Sequence, residues 1–492
     1  MNNRRWIYFG LPVIGTVFCL IYIHLSTVNV VYSDYIRLIN SYLPDVWDPK
    51  KFFVPDVLTR IPINYLGRII NVEIFGLNLQ ADRIAGVLGL GLSAFLLAVY
   101  SAKRQLSAGW FAILMAVVFS LNKWEMLVNG SGWAHFLAFA LFYYNFMVLD
   151  RVRCGGEKSG DRVRLAVLPF VITLGVAGPY CAIYTATLLL AYGCFWIMDA
   201  AAGRRGKSPV REEAAEFPGE DKGAAPVRPC PHSHPLRFWV ILAVCAAIPL
   251  LLYMWSNSTL TEDYDRNSVS ASLLPSMAAE PKFFAKFFLK SFASMVLGGE
   301  VITEKLHLTG TEASLIGLLV IFAYLLALGL NLYLKLWRES VFPLLCLAAG
   351  GMNHLLIMIS RWIFENEDYG MSSRYALQFQ IGIVGIILTF ALAKRHLAGR
   401  RASILRAAVL ACGLIFLAGN LYTTAAELEK AKYRKARGCE QAEAVLHYKE
   451  LDDETLSSVI EYSRGADKIR RALGIIEENH LNVFQHMEER ER

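Results

Sequence analysis

Charge is scarce in this chain. Asp, Glu, Lys and Arg make up 18% of its 492 residues, and hydrophobic residues make up 55%, whereas a soluble domain carries about 25% charged residues. With a mean hydropathy of +0.39, that shortage excludes an ordinary soluble domain and points to a polytopic membrane protein. The net charge of +7 does not imply a nucleic-acid partner, because Lys and Arg in a membrane chain are placed by topology. Cysteine pairs are missing too. None of the nine cysteines forms a C-x-x-C or other metal spacing, and Cys19, Cys194, Cys245, Cys346 and Cys412 sit in apolar runs as small hydrophobes. No disulfide framework follows. The first apolar run, 6–25, comes after Arg4 and Arg5 but has no small-residue cleavage site, so a retained helix is expected rather than a signal peptide. No repeat of fixed period is present.

Long apolar runs are what the chain does contain. Stretches of roughly 17–25 mostly apolar residues span a bilayer, and about 11 occur, near 6–28, 84–102, 109–121, 133–149, 165–178, 180–198, 238–256, 313–334, 340–359, 375–393 and 404–424. The third is short, and the fifth and sixth meet at Gly178-Pro179. With the N-terminus in the cytoplasm, every cytoplasmic loop is basic, as the positive-inside rule requires. The expected fold is all-α and polytopic: a transmembrane domain over 1–424, and a small extracytoplasmic helical tail over 425–492. The tail has helical spacing at Ile469, Leu473 and Ile476, and residues 481–484 dock it. Within the transmembrane domain, 29–83 is the first extracytoplasmic loop and 199–237 a disordered, Gly/Pro/Ala-rich cytoplasmic linker. After a short outer turn at 122–132, a further extracytoplasmic loop covers 257–312, in which Lys282, Lys286 and Lys290 alternate with phenylalanine pairs, the pattern of a helix lying among lipid headgroups. Cys230, His232 and His234 in the linker lack a fourth ligand at metal spacing. Asn353 and His354, inside a span, read as a hydrogen-bonded core pair.

Ionisable residues beside a membrane are costly unless they face water or a protein-lined cavity, and so they mark candidate chemistry. Residues 30–82 concentrate them. Asp34, in YSDY just after the first span, is placed to act as a general base toward an acceptor hydroxyl; capping the helix that begins at IRLIN is its structural alternative. Asp45 and Asp48, between Pro44 and Pro49, sit in a turn and are secondary candidates, as is Asp56. Arg60 offers a planar fork for phosphate. Glu125, beside Trp124, falls at a membrane boundary. Arg361 and Arg374 are arginines on the outer side, where topology disfavours them, and Arg374 stands at the mouth of a span.

Four segments together resemble the GT-C type of multi-spanning bacterial envelope glycosyltransferases: YSDY in the first loop, KWEMLVNGSG at 123–132, RWIFENEDYGMSSRY at 361–375, and HLNVF at 480–484. In the second, Lys123 stands where the family pattern Q-W-E-N-L-x-x-G has glutamine, and the first loop has no D-x-D or E-x-D pair. The resemblance implies transfer of a sugar from a polyprenyl-phosphate carrier to an envelope glycan or lipid, outside the bacterial cytoplasmic membrane. Asp34 would then serve the acceptor, and Arg374 with Arg60 the donor phosphate. Membrane lipids are the surroundings, no cofactor is specified by a motif, and a divalent metal stays open. An O-antigen polymerase or ligase, which also uses polyprenyl-linked glycans and outer-loop arginines but takes a diphosphate-linked oligosaccharide as donor, is the alternative. A lipid-linked glycan transporter would place charges at the bilayer midplane, where these spans have few.

Overall fold

A computed structural model describes residues 5–53, 62–204, 234–258, 266–397 and 402–486. Among them there is no strand, and all regular structure is helical. Helix α1 (Arg5–Ser26) leads through two loop helices, α2 (Asp34–Tyr42) and α3 (Pro62–Phe75), to α4 (Leu79–Lys103). Next come α5 (Ala108–Val118), the short α6 (Trp124–Asn129), α7 (Trp133–Arg153), α8 (Asp161–Ile172) and α9 (Cys181–Arg204). Helix α10 (Leu236–Ser258) is followed by α11 (Arg266–Ala279), α12 (Pro281–Ala293), α13 (Gly310–Tyr333), α14 (Phe342–Arg361) and α15 (Ala376–Ala393). The chain closes with α16 (Ser403–Leu446), α17 (Asp453–Val459) and α18 (Ala466–Glu478). Nine helical runs among the described residues are long and apolar enough to cross a membrane: α1, α4, α5–α6, α8–α9, α10, α13, α14, α15 and α16. The protein is an all-helical, multi-pass membrane protein.

An apolar helix with no polar face has to be buried or face lipid, and the bundle uses both solutions. Every residue of α15 is buried, which makes it the central helix. Helix α14 packs on it through small residues: a Cβ on Gly350 would stand 2.3 Å from the Gly382 Cα, the close backbone approach that glycine permits between membrane helices. By contrast α1, α10 and α13 turn Ile14, Leu251 and Leu325 outward. The run from α8 to α9 breaks at a π-turn (Thr173–Ala177) and a 3-10 turn (Gly178–Tyr180), with Gly178 at φ 54°. Asn353 donates to the Ala349 and Gln378 carbonyls, and the His354 ring lies between Phe292 and Phe379 with Nδ1 2.9 Å from the Ser291 hydroxyl.

At one end of the bundle, called here the α2 end, α1 finishes and α4 begins. A second hydrophobic core lies there. It joins Tyr35, Ile36 and Ile39 of α2 to Val445, Leu456, Ile469, Leu473, Ile476 and Phe484 of the C-terminal region. Helix α16 links the two cores. No break falls at 424–425, where the hydrophobicity ends, because 425–446 is rich in Ala, Glu, Lys and Arg, all strong helix formers. At ~1.5 Å per residue its 44 residues reach about 66 Å, roughly twice a ~30 Å hydrocarbon layer.

The phenylalanine- and lysine-rich helix α12 packs on α13 and α14, with Phe284, Phe287 and Phe292 buried. Lys282 and Lys286 are exposed, while Lys290 is buried and bonds Glu367 at 2.7 Å and Asp368 at 2.6 Å. The aromatic side of this helix faces protein.

Candidate functional site at the α2 end

Where α1, α4, α6, the approach to α15, and α16 converge, they leave a cleft of ≈ 680 Å³, within the ~300–1,000 Å³ range of small-molecule sites. Its cations are Arg83, Arg374, Lys430, Arg434 and Arg437, and its carboxylates are Glu125, Glu300, Glu304 and Glu461. Tyr32, Trp124, Asn129 and Tyr433 supply aromatic and amide surface.

Each charge is set by its element. Arg374 lies in the 3-10 turn Ser373–Tyr375 that leads into α15. Its Nε donates to Glu125 Oε1, and the Ser373 hydroxyl donates to Glu125 Oε2 at 3.3 Å. Arg83 follows Asp82 on the first turns of α4. It is 2% exposed and donates to the Val128 carbonyl at 2.6 Å and the Val28 carbonyl at 2.7 Å, so its position is fixed by backbone. Asp82 accepts from Arg68 at 2.5 Å, Tyr35 Oη at 2.6 Å and Asn71 at 2.9 Å, which ties α2 and α3 to α4. Burial pushes the Tyr35 phenol well above its ordinary value, so it stays a donor to Asp82.

Lys430, Arg434, Arg437 and Gln441 recur every three or four residues and therefore share one face of α16. Lys430 meets Glu304 at 2.7 Å. Arg434 stacks on Trp124 and bonds Glu427 at 2.6 Å. Arg437 is 3.5 Å from Glu461, which also accepts from Gln441 at 3.3 Å. Glu300 is half-buried, and burial raises its carboxyl above the ordinary carboxylate range.

The residues singled out in the sequence fall in several places. Glu125 and Arg374 meet in the cleft as an ion pair. Asp34 lies in a smaller adjoining depression of ≈ 130 Å³, with Arg37 and Arg464, and this depression shares Ser33 and Glu461 with the cleft. The Ser33 side chain makes no capping bond to α2, and its backbone sits at φ 50° while its N–H donates to the Ile460 carbonyl at 2.8 Å. Such a conformation is rare outside glycine and is held by its surroundings. Asp45 is exposed in the turn, and Asp48 accepts from the Lys50 N–H at 2.9 Å, a local role. Arg361, at the end of α14, lies over Phe364 and Tyr375 and does not line the cleft. Asp56, Arg60, Cys230 and His232 lie outside the described residues. His234 is buried, and its N–H donates to Asp199. Lys123 is buried and donates to the Val118 and Ser120 carbonyls at 3.0 and 2.7 Å, closing the end of α5.

Sequence reasoning missed Arg83, Glu300, Glu304, Lys430, Arg434, Arg437 and Glu461. The α16 stripe carried a signal, a cationic period of three and four beyond an apolar span. Glu300 carried a weaker one, the pair Gly298-Gly299 immediately before a lone acid. Among the described residues, no three His, Cys, Asp or Glu side chains stand together as metal ligands. The arrangement offers anion-binding guanidinium and ammonium groups within one cavity beside carboxyl groups able to exchange a proton. No known family, no curated protein and no solved structure matches this chain.

Proposed function

We propose that this chain is a GT-C-type membrane glycosyltransferase. It moves a sugar from a polyprenyl-phosphate carrier to an envelope glycan or lipid on the extracytoplasmic side of a bacterial cytoplasmic membrane. The observation that supports this is the cleft itself, at the end of a membrane bundle, where Arg374 and the α16 cations stand beside Glu125 and Glu300. In this reading α7 crosses the membrane too, and α8 and α9 cross separately, which gives eleven crossings with the N-terminus inside and the α2 end outside.

The chemistry asks for three things. An acceptor hydroxyl oxygen bonds to the anomeric carbon as the bond from that carbon to the carrier phosphate oxygen breaks. The phosphate leaves with the electron pair, so its charge needs neutralising, a role given to Arg374 and, on the resemblance, to Arg60 as well. The hydroxyl proton passes to a carboxylate, and Asp34 is assigned to the acceptor side of the site.

The test is transfer by the purified full chain in nanodiscs, with polyprenyl-phosphate and polyprenyl-diphosphate sugars supplied separately alongside envelope acceptors. Transfer from the monophosphate carrier is expected. Use of a diphosphate-linked oligosaccharide alone would instead identify a polymerase or ligase. Movement of the intact lipid-linked glycan across the bilayer, with no transfer, would identify a transporter.

A further inference from the structure

The carboxylates of the cleft are not equivalent. Glu125 is held by Arg374, Glu304 by Lys430, and Glu461 lies against Arg437. A carboxylate paired with a cation is a weak base, because the cation stabilises the form that has already lost its proton. Among the described residues Glu300 is the cleft carboxylate with no ion pair, and the uncharged Trp124 lines the cleft with it.

The backbone that carries it is built for close approach. A Cβ on Gly298 would stand 2.8 Å from Thr423 Cγ2, and one on Gly299 would stand 2.4 Å from the Met371 carbonyl oxygen. Gly298 N–H donates to the Thr423 hydroxyl at 2.9 Å. The two consecutive glycines let this turn press between α16 and the approach to α15, and that position delivers Glu300 into the cleft that Arg374 also lines. The next five residues, Val301–Lys305, form a π-turn, a deformation found often at functional sites.

We propose that Glu300 is the general base of the transfer reaction, accepting the proton of the acceptor hydroxyl. This rests on the glycosyltransferase reading above. In the step, the hydroxyl proton moves to a Glu300 carboxylate oxygen while the hydroxyl oxygen bonds to the anomeric carbon and the carrier phosphate departs with the bonding electrons. Asp34, in the adjoining depression, orients the acceptor and does not take the proton. Burial raises the Glu300 carboxyl above its ordinary value, which makes it a stronger base than a solvated carboxylate. The charged groups around it are Glu304 on its own segment, Glu125 on α6, Arg374 ahead of α15, and Glu427, Lys430 and Arg434 on α16. Of these, Glu427 adds to the rise.

The experiment compares pH profiles of kcat/KM for the full-length wild type, Glu300→Gln, Glu300→Asp and Asp34→Asn, with polyprenyl-phosphate sugar as donor. Binding of the polyprenyl-phosphate carrier is followed by tryptophan fluorescence as a folding control. Wild-type activity should rise with pH along an acidic limb as Glu300 deprotonates. Glu300→Gln should lose transfer by about 10²–10⁴-fold while still binding the carrier, and Glu300→Asp should keep partial activity with the limb displaced. Asp34→Asn should raise KM and leave the limb in place. The inference is overturned if Glu300→Gln keeps both the limb and activity within tenfold of wild type, or if Asp34→Asn abolishes the limb. If Glu300→Gln fails to bind the carrier, the displaced limb of Glu300→Asp decides, and an unmoved limb overturns the inference. Absence of any transfer by the wild type overturns the underlying reading and this inference with it.

Discussion

The guanidinium carbon of Arg434 lies 3.1 Å from the centre of the Trp124 ring, while its Nη2 donates to Glu427 at 2.6 Å. One side chain thus fastens the extended half of α16 to α6, immediately beside Glu125. The Glu427 side chain is 1% exposed, so removing its partner leaves a buried charge. Arg434→Ala should destabilise the protein by about 3–5 kcal/mol, measured by thermal unfolding in detergent. The double variant Arg434→Met/Glu427→Gln should recover most of that loss. A single-variant effect below about 1 kcal/mol would show that the pair is solvated and its stacking incidental.

Arg374 and Glu125 form the second testable pair. The proposed phosphate site needs the forked guanidinium, and Glu125 both orients it and competes with the ligand for it. Arg374→Ala and Arg374→Lys should each weaken polyprenyl-phosphate binding at least tenfold, because lysine lacks the planar fork. Glu125→Gln should change affinity far less and should make binding more sensitive to salt, because the guanidinium then faces the phosphate without its own carboxylate. Titration of the carrier into nanodisc-embedded variants reads all three, and wild-type affinity in Arg374→Ala would remove this residue from the donor site.

Both of these residues were legible in the sequence because each is a charge at the edge of an apolar run, where topology alone gives no reason for it. The multi-pass helical architecture was legible for the same reason, since hydrophobic length dictates it. Other features needed three dimensions. Arg434, Lys430 and Arg437 look like solvated charges on a surface helix, and nothing local says that α16 continues past the membrane and turns that stripe toward α6. Arg83 is masked by its neighbour Asp82, which suggests an ion pair between adjacent residues, whereas Asp82 pairs with Arg68 and Arg83 bonds backbone carbonyls. The lysines of α12 read as a membrane-surface pattern, but the phenylalanines that share the helix bury Lys290 against the 362–375 segment.

That buried lysine gives a prediction with a defined pH window. Burial alone would raise the Glu367 carboxyl, but its hydrogen bond and attraction to the Lys290 ammonium outweigh that and hold it below the ordinary range. A carboxyl lowered on folding adds stability that is present above its unfolded value, about 4.3, and is lost as pH falls through the lower folded value. Lys290→Met should therefore cost about 1 kcal/mol at neutral pH, a modest figure because Glu367 and Asp368 remain partly exposed. The difference in Tm between wild type and variant should narrow as the pH is taken below 4. A gap that is constant or widening toward acid would assign the effect to packing of the α12 stem and not to the charge.

The C-terminal cap supplies the last prediction. Asn482 donates to Asn29 Oδ1 at 3.0 Å and to the Leu77 carbonyl at 2.8 Å, while its own N–H reaches the Gly76 carbonyl at 2.8 Å. It therefore joins the end of the chain to the segment after α1 and to the entry of α4. On the same side, the Ile460 carbonyl accepts from Ser33, so the cap fixes the edge of the cleft where Asp34 and Glu461 face the adjoining depression. Asn482 sits at φ 57°, a left-handed conformation that asparagine tolerates better than most residues. Asn482→Gly keeps that backbone and removes both side-chain donors; Asn482→Ala removes the donors and adds strain. Each variant should cost about 1–3 kcal/mol, chiefly because the Leu77 carbonyl loses its side-chain donor while Asn29 Oδ1 keeps the Leu79 N–H, with alanine the worse of the two. If the cap and the first loop act as one unit, hydrogen exchange in both variants should quicken together across α18, α2 and residues 29–33, while α15 stays protected. Faster exchange confined to α18 would show that the first loop holds its shape without the cap, and would separate the cleft edge from the end of the chain.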